Sequence, residues 1–440
     1  MRSPNFRHVV AKEWRELLAA RSYWLLLVMI GPLVGQAFIT AVKLYAEASG
    51  SGAGPAALPQ ALTPLDGILV PTLGAYDLAA TFFLPFVAIR LISAEKQSGA
   101  LKLLLQLPGS IGAKLAAKGL VLLSGWAVSC VPALIALALW KSYGGHLHVP
   151  ETLNLLLGHL LRAMLSIGIA VAAAALAESA SSAAIVTLGF TVGTWALDFI
   201  AAGRGGLLQQ LANYTPTAAL RSFEQGLLRL STTVVMLVIV FSAFTLAAVW
   251  LNTGRTLRNR LLATLALAAI LVVVMFGAVR LRTSWDLTEN RRNSFPPADE
   301  AALHQIRDPL SITVILAPED PRLTDFEQNV LSKLRRNLSH LEVKYTAGSQ
   351  TGLFEGSEDH YGEIWYEMRG QKRMDRSTIE QVVLEQIYKI GGLNPPAAGE
   401  EPEFSGYPLA ARPTWAAPVF YGVWPLMTIL VWWLIRRKGD

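Results

Sequence analysis

Apolar residues in this chain gather into long runs, and polar residues fall mostly between them. Eight runs, near residues 22–42, 72–92, 115–140, 153–177, 183–202, 232–251, 261–281 and 417–435, are predicted to be membrane spans. A helix rises 1.5 Å per residue, so about 20 apolar residues cross a hydrocarbon core about 30 Å thick. The second run is the least regular, because Asp77 and Pro85 interrupt it. The first run follows some twenty polar and charged residues and is too long for a signal-peptide core, so it is expected to stay as an anchor.

Between the seventh and eighth runs the pattern changes. Residues 282–415 read as an α/β domain outside the membrane. Residues 310–317 partly alternate and are β-branched, which predicts a strand, and 341–346 and 363–369 predict two more. Thr324 with Glu327, and Ser377 with Glu380, have capping-box spacing. Each is expected to open a helix, the second running through Ile390 to a stop at Gly391-Gly392. Residues 399–413 read as a Pro- and Gly-rich linker into the last span.

Composition agrees with a membrane protein. Of 440 residues, 52% are hydrophobic and 16% charged, against about 25% charged in soluble domains. The formal charge of +6 is concentrated in segments that eight spans place on one side of the bilayer. These are Arg2, Arg7, Lys12, Arg15 and Arg21; Lys96, Lys102, Lys114 and Lys118; Arg255, Arg258 and Arg260; and Arg436, Arg437 and Lys438. Positive loops stay cytoplasmic, so both termini are expected there, with 282–415 on the far side. Arg204, Arg221 and Arg229 go against this bias. The charge is therefore read as membrane topology, with no nucleic-acid partner. The single cysteine, Cys130, excludes an internal disulfide.

Catalytic patterns are missing. The chain has no Gly-x-x-x-x-Gly-Lys-Ser/Thr loop and no His-Glu-x-x-His motif. It is therefore expected not to hydrolyse ATP, not to be an enzyme, and to bind no metal or cofactor. Gly50–Gly54 lacks a preceding strand and reads as a flexible linker; His146 and His148 sit in an external turn, as loop residues or a metal pair. Asp286, His360 and Glu363 show no acid–base or metal spacing. Arg162 and Asp198 lie inside apolar runs and are expected near the external interface. Gly31 with Gly35, and Gly189 with Gly193, have the small-xxx-small spacing that lets helices approach closely.

The most informative segment follows the second run. Glu95 is expected to open a polar turn and Gly99 to permit a bend. Leu101, Leu104 and Leu105 then give a short apolar face that Pro108 ends. Such a helix fits either a groove on a cytoplasmic partner or the lipid surface. The series Glu95, Lys96, Gly99, Leu101, Leu104, Leu105 and Pro108 resembles the cytoplasmic signature of type-2 ABC exporter permeases, with Ala100 where threonine is usual. Residues 6–21, with Lys12, Glu13, Trp14 and Leu17, resemble that family's interfacial elbow helix. Residues 213–216 and 223–226 resemble its external re-entrant region. Farther on, Trp285-Asp-Leu-Thr-Glu289, Arg291-Arg292, Ile306-Arg-Asp-Pro309 and Tyr361–Trp365 resemble the auxiliary subunit of Gld-type (gliding-motility) ABC systems, with Ser294-Phe-Pro-Pro297 replacing its usual Ser-Leu-Ser.

These resemblances imply a polytopic α-helical fold: an elbow at 1–21, a six-helix permease at 22–255, a seventh helix at 256–281, an α/β auxiliary domain at 282–415, and an eighth helix with a basic tail at 416–440. They imply a bacterial inner-membrane export permease driven by a separate cytoplasmic ATPase dimer, which holds the ATP and Mg²⁺ and grips the Glu95–Pro108 segment. The partners are a second permease copy or homologue, the lipid bilayer, and a protein bound to the outer domain. Two copies would form a path between their first, second and fifth helices. The alternative is a mechanical or assembly scaffold that moves its outer domain without passing a solute.

Overall fold

In a computed structural model, the described residues are 6–50, 63–106, 109–201, 212, 214–252, 254–281, 283–317, 320–338, 340–346, 360–396 and 404–437. Arg2, residues 51–54, Pro108, Arg204, Asn213, Arg282, residues 399–403 and Lys438 lie outside them.

The chain opens with α1 (Phe6–Ala19) and α2 (Arg21–Gly50). A π-helical turn (Leu65–Leu69) leads into α3 (Val70–Ser98), followed by α4 (Ala100–Gln106). Helices α5 (Ile111–Ser129) and α6 (Val131–Ser142) form one span jointed at the buried Cys130. Next come α7 (Val149–Leu176), α8 (Ala180–Ala201), α9 (Pro216–Glu224), β1 (Leu227–Arg229), α10 (Leu230–Leu251), α11 (Leu257–Val279) and β2 (Ser284–Asp286). Beyond them are α12 (Pro297–Leu303), β3 (Leu310–Val314), α13 (Pro321–Phe326), a π-turn (Glu327–Leu331) and α14 (Ser332–Asn337). The rest are β4 (Leu341–Tyr345), β5 (Ile364–Met368), β6 (Gln371–Asp375), α15 (Glu380–Gly391), a π-turn (Pro418–Val423) and α16 (Trp424–Arg437).

Eight helices among the described residues are long and apolar enough to cross a membrane, and each overlaps one of the eight predicted runs. Helix α7 lies at the centre, packed by α3, α5, α8, α9 and α10. Helices α8 and α11 are largely exposed and apolar, as lipid-facing helices must be. Span eight clasps span one. A Cβ on Gly31 would sit 2.2 Å from Trp424 Cδ1, and one on Gly35 would sit 2.3 Å from Phe420 Cβ. The Trp424 indole donates to Leu27 O across the same seam at 2.7 Å. A Cβ on Gly189 or Gly193 would meet nothing within 4 Å.

The sheet unit orders its strands β4-β3-β5-β6. Strands β3 and β4 are parallel, joined by the 321–337 crossover, whereas β3–β5 and β5–β6 are antiparallel. Ile312, Val314, Ile364 and Tyr366 alternate inward against Phe326, Leu331, Leu334, Val383 and Ile387. The β5–β6 turn holds Arg369 at φ 53° and Gly370 at φ 75°, the pair of positive φ values a tight hairpin requires.

Neither expected capping box forms. The first helix starts four residues early, with Pro321 in its first turn and Asp320 accepting from Arg322 N at 2.9 Å. At the second, Ser377 Oγ accepts from Ile379 N in a local turn, Ile379 is the N-cap, and Glu380 is taken by Lys333 at 2.7 Å. Strand β6 was not anticipated, because it is an almost wholly polar, exposed edge strand.

Strands β1 and β2 pair antiparallel and tie the chain after α9 to the entrance of the sheet unit. Asp286 anchors this joint. Its carboxylate accepts from Thr288 N and Oγ1, Asn293 N and Nδ2, and Ser294 Oγ. Gly226, at φ 77°, permits the close approach, since a Cβ there would lie 2.2 Å from Thr288 Cγ2. Each hydrogen bond to a charged group contributes about 1.5–3 kcal/mol. Asp286→Ala is therefore expected to loosen the joint, so that limited proteolysis cuts between residues 283 and 293 while the helical far-UV signal persists. Unchanged cleavage would show that the carboxylate does not hold the joint.

Candidate coupling site at the end of the third helix

Helix α1 is amphipathic. It buries Glu13 and Leu17 against α5, where Gly125 lets the Leu17 and Tyr23 side chains approach closely. Burying a glutamate requires a cation, and Lys118 of α5, 2% exposed, supplies it at 2.6 Å. The same ammonium lies 2.9 Å from Glu95 Oε2 at the end of α3. Lys12 pairs with the other Glu95 oxygen and lies 3.1 Å from Glu13 and 3.0 Å from Glu16. Partial burial alone would lower the Lys12 pKa, but Glu95, Glu13 and Glu16 together hold it above the usual lysine range. For Glu16, burial outweighs Lys12 and raises the carboxyl pKa.

Two lysines and three glutamates thus lock α1, α3 and α5 together. Glu13, Glu16 and Glu95 are close enough to share a metal ion, but the Lys12 and Lys118 ammoniums already supply the countercharge. Glu95 therefore does not open a polar turn. It is buried inside the last turn of α3, which continues to Ser98. The break comes at Gly99, at φ 76°, as a left-handed C-cap with open space where a Cβ would point.

Helix α4 follows at once. Leu101 and Leu104 are buried in the chain's own core, with Leu105 packed against it, so this apolar face is not available to a partner. The open side carries Ala100, Lys102, Leu103 and Gln106, with Leu103 68% exposed. Two lysines cap helix C-termini here. Lys114 Nζ donates to Leu104 O at 2.8 Å, and Lys96 Nζ donates to Ala177 O at 2.6 Å and Ala175 O at 3.2 Å. Ammoniums at these ends satisfy the last carbonyls and complement the helix dipole.

A second cluster sits within the spans. Asp77 and Thr81 of α3, one turn apart, face His159 and Arg162 of α7, also one turn apart. Arg162 Nε lies 2.8 Å from Asp77 Oδ2 and 3.4 Å from Thr81 Oγ1, and His159 Nδ1 lies 3.6 Å from Asp77 Oδ1. The expected interfacial position of Arg162 is wrong. Helix α7 starts at Val149, so Arg162 lies near its middle and is 5% exposed. Asp198 does lie near the end of α8, 3.2 Å from the exposed Arg221.

A third cluster joins the sheet unit to the bundle. Glu289 receives His146 at 2.9 Å and the Tyr407 hydroxyl, while its backbone N–H donates to Glu151 at 2.6 Å. The His146 ring stacks on Tyr407 with centroids 3.9 Å apart, and Tyr45 donates to Tyr407 O at 2.7 Å. Donation to Glu289 pushes the Tyr407 pKa up to about 12. Arg292 pairs with Asp66 beside it. His146 is thus engaged in this joint, and His148 lies 3.9 Å from Glu151. Glu363 is held by Arg376, Trp365 and His360, and the carboxylate of Asp286 accepts the bonds of the β2 joint, so both serve local structure.

Sequence reasoning noted Lys118 only as a positive loop residue. Its signal was chemical: a lysine in an otherwise apolar helix needs a buried carboxylate.

A family model described as ABC-2 family transporter protein matches residues 7–284, more than half of the chain. The chain belongs to this family. It is a multi-pass membrane protein and the permease component of an ABC transporter, a kind of subunit generally not catalytic itself, and membership implies an ATPase component beside it. No curated protein and no solved structure matches the chain.

Removing one partner of a buried ion pair costs about 3–5 kcal/mol, whereas replacing the whole set by uncharged groups is often neutral. Lys118→Met is therefore expected to lower the thermal unfolding temperature of the solubilised protein sharply. Adding Glu13→Gln and Glu95→Gln should recover most of the loss. If the triple variant melts no higher than the single one, the cluster does not behave as a coupled unit.

Proposed function

We propose that this chain is a Gld-type export permease fused to its auxiliary domain, driven by a separate cytoplasmic ATPase dimer that holds ATP and Mg²⁺. The carrying observation is the ion cluster of Lys12, Glu13, Glu95 and Lys118, which fixes the elbow and two spans to the base of the short helix α4. A rigidly mounted helix with one open side suits transmission of force from a docked subunit. In this reading the elbow end is cytoplasmic, as the lysine- and arginine-rich loops argue, and the sheet unit is extracytoplasmic. The ATPase contacts Lys102, Leu103 and Gln106, while Glu95, Lys96, Gly99, Leu101 and Leu104 position that face. Two copies meet around α2, α3 and α8, and the exposed α8 with its open Gly189 and Gly193 supports such a contact.

The scaffold reading keeps one specific support. The Glu289–His146–Tyr407 joint and the Asp66–Arg292 pair bind the sheet unit to the bundle, so motion of the helices would carry it along. Export is favoured because a crevice with polar lining opens between α3, α7 and α8.

The test is co-purification with the ATPase component of the transporter, co-expressed with this chain. Lys102→Glu with Leu103→Asp is expected to lower association and permease-stimulated ATP hydrolysis by about 30-fold, the loss of one interface hot spot of about 2 kcal/mol. Full association in this variant would remove α4 as the docking element. Lys102→Cys should react with a membrane-impermeant maleimide only when the cytoplasmic face is open. Labelling of intact cells would reverse the topology.

A further inference from the structure

The α3–α7–α8–α9 crevice holds two polar atoms that the fold leaves without partners. Arg162 reaches Asp77 through Nε, but its Nη1 is buried and makes no hydrogen bond. Thr217 Oγ1, in the first turn of α9, is likewise buried and unbonded. Both residues line one cavity of about 20 Å³, together with Thr81, Thr187, Thr191 and Thr194. An unsatisfied guanidinium N–H in a membrane interior is costly. Protein groups at this position are therefore arranged for something that is not part of the chain.

Of the two orphans, Arg162 Nη1 can only donate, and the Thr217 hydroxyl can donate or accept. The hydroxyls of Thr187, Thr191 and Thr194 donate back to carbonyls of their own helix, and Asp77 does not line the cavity. The N-terminal turn of α9, through Pro216 and Thr217, also borders it. The positive end of that helix dipole adds to the arginine charge. The unmet guanidinium N–H and the helix N-terminus favour a negative group.

A second, smaller space of about 10 Å³ continues the crevice between α3 and α8. It shares Thr81, Pro85, Thr187 and Thr191 with the first and is otherwise lined by Phe82, Phe86, Ile89 and Leu188 among apolar side chains. The crevice thus has a polar end beside Arg162 and an apolar end one to two turns away. One wall is α8, the most lightly packed helix of the permease half, and its other faces are apolar and exposed. A water needs about 10–15 Å³, so the present space admits little more than one. A larger occupant enters only if α8 moves off α3, which a lateral, lipid-side opening allows.

We propose that Arg162 Nη1 and Thr217 Oγ1 form a mid-membrane receptor for the oxyanion head of an amphiphile, a phosphate, sulfonate or carboxylate carried on an apolar chain. This deepens the permease reading and rests on it. Asp77 is the positioning residue that holds the guanidinium, and the α3–α8 crevice takes the chain.

The test is equilibrium binding of a spin-labelled alkyl phosphate to the full protein in zwitterionic nanodiscs, without ATPase. Displacement is expected from unlabelled alkyl phosphate and alkyl sulfonate. None is expected from an alkyl trimethylammonium or alkyl glucoside of equal length, or from inorganic phosphate. Thr217→Val leaves the ion pair intact and is expected to weaken binding several-fold. Asp77→Asn with Arg162→Gln, which strands no charge, is expected to weaken it about tenfold or more, the scale of a charge-assisted contact. Equal displacement by neutral or cationic chains, equal displacement by inorganic phosphate, or unchanged binding in both variants overturns the proposal. So does absence of binding in the parent protein. ATPase association, read separately at Lys102 and Leu103, decides the permease reading and does not depend on these results.

Discussion

The Lys118 ammonium, placed between the carboxylates of Glu13 and Glu95, is the constraint from which the organisation of the basic end follows. None of these three groups tolerates its position alone. A charge moved into a low-dielectric interior is stabilised only by an opposite charge at contact distance, worth about 4 kcal/mol at 4 Å in a medium of effective dielectric near 20. The elbow can therefore sit in only one register against α5, and the last turn of α3 is held where Glu95 meets both lysines. Hydrophobic contact between α1 and α5 would tolerate sliding by a turn; the ion cluster does not. Buried ion pairs are poor sources of net stability but can select geometry, and here they fix how three helices meet.

Around that fixed point, the other polar contacts terminate helices. Lys96 closes the C-terminus of α7, Lys114 closes α4, Ser110 opens α5 by accepting from Ala113 N, and Gly99 turns the chain between α3 and α4. Lys12, Lys96, Lys114 and Lys118, all counted toward loop charge, are thus also structural donors. The two roles are compatible, because an ammonium at a helix C-terminus must also stay on the side of the membrane where it can be hydrated before insertion.

The spans were legible because bilayer thickness fixes their length, and a run of apolar residues has no other economical fold. The strands β3, β4 and β5 were legible from alternation and β-branching. Strand β6 was not, since Gln371–Asp375 is an exposed edge whose hydrogen bonds come from β5 and not from its own pattern. The capping boxes were misread for a similar reason: Asp320-Pro321 offered a better start upstream of Thr324, and spacing alone does not rank competing caps. Glu95 was read as a polar turn because its partners, Lys12 and Lys118, are distant in sequence. Arg162 was placed at an interface because Asp77, the group that permits its burial, lies on another span. Pairings between spans carry no local signature; an isolated charge in an apolar run is the nearest thing to one.

Asp66, Asp77 and Glu95 are the acidic residues of the 65–98 segment, and each pairs with a cation from a different part of the fold: Arg292 of the sheet-unit entrance, Arg162 of α7, and Lys12 with Lys118 of the base. Their spacings are 11 and 18 residues, which at 3.6 residues per turn are about three and five turns. The three carboxylates therefore fall close to one face of a single helical rod, from which Pro85 and the π-turn at 65–69 make local departures. From Asp77 to Glu95 the rod is about 27 Å long. A tilt imposed at Glu95 is then felt at Asp77 and at Asp66 as a change in the same kind of contact, an acid sliding against a base. The Asp77 and Glu95 pairs are largely buried and the Asp66 pair is partly exposed, so the first two are the stronger contacts. One helix is thus tied by its three carboxylates to the base, to the Arg162 cluster and to the sheet unit.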